Sequence, residues 1–402
     1  MKRSLALLAG LLAGTPALAQ DDVKFTPSID ARLRYDKTDQ DGVALDANAL
    51  TLRVRPGVTV ARGEWSALVE GEATIALSAG YNDGLNGKTR YPVVADPRNV
   101  ELNRAQLRWA SGTHSVTLGR QRIALADERF VGPAAWRQNE QTFDAARVQW
   151  GFGKAITADV TYSWNLRTVN GERGFGARPT AIHGDNVFAL LSYKTGPGTL
   201  TGFAYLVDQD SAAVQGYRLS SQTYGLRFAG NTDIAPKLKL SYTASWARQS
   251  GWHRNPNDYA ATYWLGEAGL ASGRLTATAG YEVLGASSGA ALTSVQTPLA
   301  SFFKWNGWAS KFNPTPANGL RDAYGTIGYG WKKVAGLDAI TLAATVHRFD
   351  SDRLDQHYGN EFDLAAIAKR GHYTAAVRYA SYDAHAFATN TRKLWLTLEW
   401  SL

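Results

Sequence analysis

The chain has 402 residues, of which 45% are hydrophobic and 19% are charged, and its formal net charge is +8. This basic excess is too small to indicate a nucleic-acid partner. The sequence has no cysteine, which excludes disulfides and thiolate metal sites, while 39 glycines and 13 tryptophans fit a protein with many tight turns and aromatic girdles.

Residues 1–19 have the pattern of a secretory signal. Lys2 and Arg3 form a basic start, Leu5–Leu12 is apolar, and small residues precede position 20. The apolar stretch is too short to span a bilayer, and no later segment reaches about 18 uninterrupted apolar residues. We therefore predict a cleaved signal peptide at 1–19 and one exported domain at 20–402.

The rest of the chain alternates hydrophobic and polar residues with a period of two, as strands with two different faces do. Hydrophobic side chains occupy every even position of 156–166 and of 238–246, and every odd position of 275–283. About 18 such segments can be counted, an even number that is typical of closed bacterial barrels. They are centred near residues 30, 54, 70, 104, 117, 147, 160, 190, 203, 225, 242, 264, 278, 327, 344, 364, 377 and 396.

The connections alternate between short and long. Short turns are predicted at Arg62-Gly63, Ser111-Gly112, Gly151-Phe152-Gly153, Gly196-Pro197-Gly198, Ser272-Gly273 and Arg370-Gly371. Long polar stretches are predicted at 78–97, 121–141, 167–185, 208–220, 249–257, 285–320 and 350–360. Outer-membrane barrels place short turns on the periplasmic side and long loops outside the cell.

The last strand also alternates, with hydrophobic residues at every even position from Leu394 to Leu402. Such an ending is typical of barrels that close the last strand onto the first, and we expect the barrel assembly machinery to recognise it. The predicted fold class is therefore all-β: a transmembrane antiparallel β-barrel in the cell outer membrane, in contact with its lipid and lipopolysaccharide. A soluble secreted sandwich is the alternative, which the Tyr and Trp at strand ends disfavour.

The face opposite to the apolar one is rich in basic residues. Its predicted members are Arg32, Arg34, Arg53, Arg55, Arg108, Arg147, Arg227, Lys239, Arg378 and Lys393. Arg104 joins them after a phase slip between Asn103 and Arg104, which predicts a bulge. Acidic residues share this face, so the charges either form an electropositive constriction that selects anions or pair across the lumen and keep it wet. The clustering of basic residues on the first six strands and on the long loop after the fifth strand favours the first interpretation.

The loop after the fifth strand carries four short motifs. They are Gly119-Arg120-Gln121-Arg122, Glu128-Arg129-Phe130-Val131-Gly132-Pro133, Trp136-Arg137-Gln138-Asn139 and Thr142-Phe143-Asp144. Together with Lys304–Ala309, Lys311-Phe312 and Gly319–Asp322, they resemble the alginate export porin family. The resemblance implies a monomeric barrel of 18 strands with an arginine-lined conduit for a polyanionic uronic acid polymer.

Four arginines match basic positions in the loop region of that family, and they are the best candidates for solute contact: Arg120, Arg122, Arg129 and Arg137. Their alternative role is to pack the loop into the lumen through pairs with Glu128, Glu140 or Asp144.

No catalytic motif is evident. The seven histidines are scattered, and neither a His-Glu-x-x-His nor a Gly-x-Ser-x-Gly pattern is present. Asp350, Asp352 and Asp355 lack the glycine and terminal glutamate of a defined calcium loop. We therefore predict no enzyme, no cofactor and no metal site.

The predicted function is passive diffusion of hydrophilic anionic solutes, with alginate-like uronic acid polymers or oligomers favoured. Two alternatives remain open. One is a general or nutrient-specific porin for small organic anions or sugars. The other is a structural or adhesion barrel plugged by its loops, for which the stretch 285–320 is long enough.

Overall fold

The computed structural model describes residues 23–402, so the predicted signal peptide at 1–19 lies outside the described part of the chain. The described residues form 18 strands. They are β1 (Lys24–Gln40), β2 (Ala47–Arg62), β3 (Trp65–Ala76), β4 (Asn99–Ser111), β5 (His114–Gln121), β6 (Thr142–Phe152), β7 (Ile156–Arg167), β8 (Ala181–Lys194), β9 (Gly198–Val207), β10 (Ser221–Ala235), β11 (Leu238–Gly251), β12 (Ala260–Ser272), β13 (Leu275–Leu284), β14 (Leu320–Val334), β15 (Leu337–Asp350), β16 (His357–Arg370), β17 (Tyr373–Ala384) and β18 (Thr391–Ser401).

Each strand pairs antiparallel with its neighbours in sequence, and β1 pairs with both β2 and β18, which closes the sheet. The predicted 18-stranded antiparallel barrel is confirmed, and every predicted segment centre falls in a different strand. Two short 3-10 helices, Ala213–Leu219 and Phe302–Lys304, lie in loops. Within residues 23–402, no helix has the length and apolar character needed to cross a membrane.

The two faces of the strands differ as the alternation predicts. On β2, Thr51, Arg53 and Arg55 are buried in the lumen, whereas Leu52 and Val54 lie on the outer face and are partly exposed. Outward side chains such as Leu398 and Ile327 are exposed and form part of an apolar belt. Such a belt is stable only against hydrocarbon, which is why a barrel of this pattern resides in a membrane.

Turns of two or three residues join the strands at one end, and loops of 6 to 35 residues join them at the other. Two short turns, at Pro236-Lys237 and Ala335-Gly336, were absent from the predicted set. Lys237 adopts a positive φ of 65°, a conformation that glycine usually supplies. The Pro236-Lys237 turn contains no glycine and therefore lacked that signal. The loops 41–46 and 385–390 were too short to stand out from the strands.

The predicted bulge on β4 is confirmed. Glu70 lies opposite Arg104 while Gly71 lies opposite Leu102, so Asn103 is the extra residue. The Nδ2 of Asn103 and the Nε of Arg104 both donate to Oε1 of Glu70, at 2.7 and 2.8 Å. The bulge therefore turns two consecutive polar side chains toward the lumen.

Two long loops, 122–141 and 285–319, fold into the barrel. Ile123 and Val131 from the first, and Leu299 and Phe312 from the second, are almost fully buried in one hydrophobic cluster. That cluster also contains inward side chains of the strands, among them Phe188, Tyr263 and Phe349. The barrel thus has a packed interior on part of its cross-section.

The two inward loops also bond to each other. Val131 and Leu299 form a parallel bridge, and the peptide N–H of Gly132 donates to the carbonyl of Leu299 at 2.9 Å. The side-chain amide of Gln141 donates to the same Leu299 carbonyl at 3.1 Å. These bonds tie the loops together across the lumen.

Candidate pore constriction

A cavity of about 800 Å³ remains between the two inward loops and the wall formed by β17, β18 and β1. Loop 168–180 closes part of its side through Arg178 and its neighbours. The lining includes six basic side chains and three acidic ones. The basic residues are Arg32, Arg137, Arg178, Lys304, Arg378 and Lys393, and the acidic ones are Asp36, Glu128 and Glu399.

Two of these basic groups are neutralised by carboxylates. The Nε of Arg32 lies 2.6 Å from Glu399, and the Nζ of Lys304 lies 2.7 Å from Glu128. Arg32 also donates to the carbonyls of Ala135 and Trp136, at 3.1 and 3.2 Å, and so holds the loop 122–141 against β1.

The other four basic groups face the cavity without such partners. In the described part of the chain, no carboxylate oxygen lies within 4.0 Å of Arg137, Arg178, Arg378 or Lys393. The third acidic group of the lining, Asp36, instead accepts hydrogen bonds from Trp395 Nε1 at 2.7 Å and Thr38 Oγ1 at 3.0 Å. The cavity therefore carries an excess of positive charge that is available to a solute.

Ten of the twelve arginines predicted to line the pore are paired with carboxylates. The pairs are Arg32–Glu399, Arg34–Asp96, Arg53–Asp30, Arg55–Glu72, Arg104–Glu70, Arg120–Asp144, Arg122–Glu140, Arg129–Glu282, Arg147–Asp159 and Arg227–Asp127. Arg108 and Arg137 have no such partner within residues 23–402. Of these two, Arg137 lines the cavity, whereas Arg108 lies near the short-turn end of β4.

Arg129 is almost fully buried and joins both loops to β13. Its Nε donates to Glu282 at 2.6 Å, one terminal nitrogen donates to Thr297 at 3.2 Å, and the other donates to Asn306 at 3.0 Å. Burial alone disfavours the charged guanidinium, but the Glu282 carboxylate outweighs it and raises the pKa of Arg129. With its donors bound to the chain, Arg129 holds the loops together rather than facing the cavity.

Glu140 anchors the other end of loop 122–141. It lies between Arg55 and Arg122, and Asn103 donates to it at 2.9 Å. Burial disfavours its charge, yet the two arginines hold its pKa below the usual value. Next to it, the peptide N–H of Gln138 donates to Asp96 at 2.8 Å. This end of the loop is thus fixed by charged pairs.

The inward face of β13–β16 is acidic, and we call it the acidic wall, with members Glu282, Asp322, Glu361 and Asp363. Asn306 donates to Glu282 at 2.7 Å and to Asp322 at 3.2 Å. The peptide N–H of Ala309 donates to Glu361 at 2.7 Å. Gly307, at a φ of 79°, lies so close to Glu361 that a Cβ would contact its carboxylate. The acidic wall therefore binds loop 285–319.

The sequence placed Arg378 and Lys393 on the inward face but did not single them out as site residues, and it missed Arg178. The alternation of hydrophobic and polar residues in β17 and β18 indicated that Arg378 and Lys393 face the lumen. Arg178 lies in a loop, where no periodicity marks which side chains face the lumen.

Among residues 23–402, one set of carboxylate and imidazole groups is close enough to share a metal ion: Asp208, Asp210 and His253. It belongs to loops 208–220 and 252–259, none of its members lines the cavity, and Arg254 already pairs with Asp210. The aspartates considered from the sequence are bound to the chain, because Asp355 pairs with Arg321 at 2.8 Å and Asp352 accepts from the Ala286 N–H at 2.9 Å.

Solved structures with the same fold include OccAB4 of Acinetobacter baumannii, with a TM-score of 0.71 at 12% identity, covering 96% of this chain and 100% of that one. OpdO of Pseudomonas aeruginosa gives a TM-score of 0.68 at 14% identity, with 94% and 97% covered. The outer membrane protein opdK of the same organism gives 0.67 at 11%, with 94% and 98% covered. No curated protein sequence matches the chain.

The family model described as alginate export matches residues 24–372, which is most of the barrel. The fold, the inward loops and this match agree with the resemblance seen in the sequence. The chain belongs to the alginate export family and is an outer-membrane β-barrel channel.

Proposed function

We propose that the protein is a passive, anion-selective channel whose preferred solutes are short alginate-like uronic acid oligomers. The observation that carries this proposal is the set of four unpaired basic groups, Arg137, Arg178, Arg378 and Lys393, around one cavity in the lumen. Low-dielectric walls focus the field of such charges and raise the local concentration of anions.

Unpaired arginines suit this role better than paired ones. A guanidinium without a carboxylate partner can bind a solute carboxylate through two parallel hydrogen bonds. Several such groups in a row bind a solute at successive positions without holding it at one, which favours conduction. Arg137 and Arg378 belong to different elements, a loop and a strand, so a solute contacts both sides of the path.

The size of the cavity favours oligomers over a long polymer. Pockets that hold small molecules measure about 300–1,000 Å³, and this cavity of about 800 Å³ lies in that range. The bonds between Val131, Gly132 and Leu299 narrow the remaining cross-section. A short saccharide fits this space with the loops in place.

The same bonds between the loops favour a second candidate, a barrel plugged by its loops. A plugged barrel passes no ions, whereas the proposed anion channel conducts. A general porin, the third candidate, conducts but does not distinguish uronates from neutral sugars.

The test is single-channel recording in planar bilayers under a salt gradient, followed by block with oligouronate or a neutral oligosaccharide. We expect anion preference and block by the oligouronate alone. We expect Arg137→Gln and Lys393→Gln each to reduce the anion preference. The control Arg348→Gln, which removes an exposed charge on the outer face of β15, leaves it unchanged. Cation preference, or equal block by both sugars, overturns the proposal, and the absence of conductance indicates the plugged barrel.

A further inference from the structure

Three nearly parallel aromatic rings line the same cavity as the unpaired basic groups. The centroids of Trp136 and Phe303 are 3.3 Å apart at an interplanar angle of 4°, and those of Phe303 and Trp308 are 5.3 Å apart at 14°. Trp136 comes from loop 122–141, and the other two rings come from loop 285–319. The stack is therefore built where the two loops meet.

The two ends of this stack differ. Trp136 has Phe303 against it, and the guanidinium carbons of Arg34 and Arg378 lie 4.2 and 5.2 Å from its centroid. Trp308 contacts Phe303 but no other aromatic ring in the described part of the chain. It is partly exposed to the cavity. The Trp308 end of the stack thus offers an aromatic surface to a solute.

Basic groups line the same cavity as that surface. Arg378 and Lys393 project from adjacent strands into the cavity that Trp308 lines, and Arg137 enters it from the facing loop. A solute in this cavity meets an apolar ring surface and several cations together. The Trp308 ring and the basic groups of the cavity are not what fixes the loops, because Arg129 and Glu140 do so at other positions.

We infer that the cavity is a subsite for carboxylates that carry a six-membered ring, with the ring against Trp308 and the carboxylate toward Arg137, Arg378 and Lys393. This inference rests on the proposed anion channel and adds a preference of solute shape. An acyclic acid of the same charge contacts only the basic groups, and a neutral ring contacts only the aromatic surface. Both a sugar acid and a planar aromatic acid share the required chemistry.

The preference is measured as the solute concentration that half-blocks the ion current of the full-length protein in planar bilayers. Glucuronate is compared with gluconate, a matched pair of six-carbon acids with and without a ring. Benzoate is compared with heptanoate, a second pair matched at seven carbons. We expect the cyclic member of at least one pair to block at a roughly two- to tenfold lower concentration, the range given by ring-stacking contacts.

Trp308→Leu keeps an apolar side chain but removes the ring, and we expect it to abolish the difference within each pair while the anion preference persists. Trp264→Leu, on the outer face of β12, is the matched control and retains the difference. A preference within the glucuronate pair alone supports a sugar-acid subsite, and one within the benzoate pair alone supports an aromatic-acid subsite.

Anion selectivity without any cyclic preference overturns this inference and leaves the proposed function intact. The assignment to Trp308 is overturned if Trp264→Leu loses the preference for the cyclic acid, or if Trp308→Leu keeps it. A channel without anion selectivity overturns the proposed function and this inference together.

Discussion

The acidic wall of β13–β16 and the opposite wall of β17 and β18 differ in whether their charged groups have partners. On the acidic wall, Glu282, Asp322 and Glu361 accept hydrogen bonds from the inward loops. On the opposite wall, Arg378 and Lys393 face an open cavity without carboxylate partners within 4.0 Å in residues 23–402. In this lumen, charged groups with partners attach the loops to the barrel wall, and charged groups without partners remain available to solutes.

The largest effect is expected from breaking the acidic wall's main ion pair. Arg129→Met leaves Glu282 buried without its cation, a loss of about 3–5 kcal/mol for a buried pair. We expect a lower midpoint of thermal unfolding, measured by the heat-dependent shift of the barrel on gels. We also expect a larger single-channel conductance, because the loops lose their common anchor. Arg348→Met, which removes an exposed pair with Asp350, costs at most about 1 kcal/mol. Equal losses in the two variants would refute the structural role of Arg129.

A smaller effect is expected at the other anchor of loop 122–141. Glu140→Gln keeps the shape but removes the charge that Arg55 and Arg122 bind, which costs about 2 kcal/mol by the usual strength of charged hydrogen bonds. Because the pKa of Glu140 is lowered in the folded protein, its stabilisation is present above its unfolded pKa of about 4.3 and is lost as the pH falls through the lowered value. The difference in unfolding midpoint between wild type and Glu140→Gln should therefore shrink in acid. A constant difference at all pH values would contradict this.

Lys311, whose Nζ lies 3.5 Å from Gln40 Oε1 at the end of β1, provides a pH-dependent test of the basic side of the lumen. Burial, reinforced by the nearby Lys393, lowers the pKa of Lys311 to about 8. The side chain is therefore charged below about pH 8 and loses its positive charge as the pH rises through that value. We expect the anion preference to decrease between about pH 7 and about pH 9, a window in which an ordinary lysine stays protonated. Lys311→Gln should remove this decrease, and its persistence in the variant would assign it to another group.

The smallest effect is expected from deleting a pair whose charges already cancel. Lys304 and Glu128 lie 2.7 Å apart at the cavity, and the double variant Lys304→Gln with Glu128→Gln leaves the net charge of the lining unchanged. We expect its reversal potential to match that of wild type, in contrast to Arg137→Gln. A shift as large as that of Arg137→Gln would show that charge pairing does not decide which cations act on solutes.

Much of the barrel was predictable because the face of a strand residue depends on local sequence. The period-two pattern located all 18 strands, and the phase slip at Asn103 located the bulge. The Pro236-Lys237 turn was missed because Lys237 takes a positive φ without a glycine to mark it. Strand face and turn chemistry are thus the parts of the fold that the sequence carries most directly.

The candidate site was less predictable, because the basic residues that remain unpaired are determined by contacts between residues far apart in the chain. Arg129 and Glu282 are 153 residues apart, and no local pattern distinguishes this buried pair from the open Arg137. The sequence predicted that basic residues line the lumen. Which of them remain unpaired depends on how two loops fold against the wall, which only the three-dimensional arrangement reveals.

The bridge between Val131 and Leu299 makes the two inward loops a single mechanical unit. Neither loop can swing away from the lumen without breaking hydrogen bonds to the other, including the one from Gln141 to Leu299. The channel is therefore expected to switch between conductance levels in one cooperative step. Two loops that moved independently would instead produce several intermediate conductance levels.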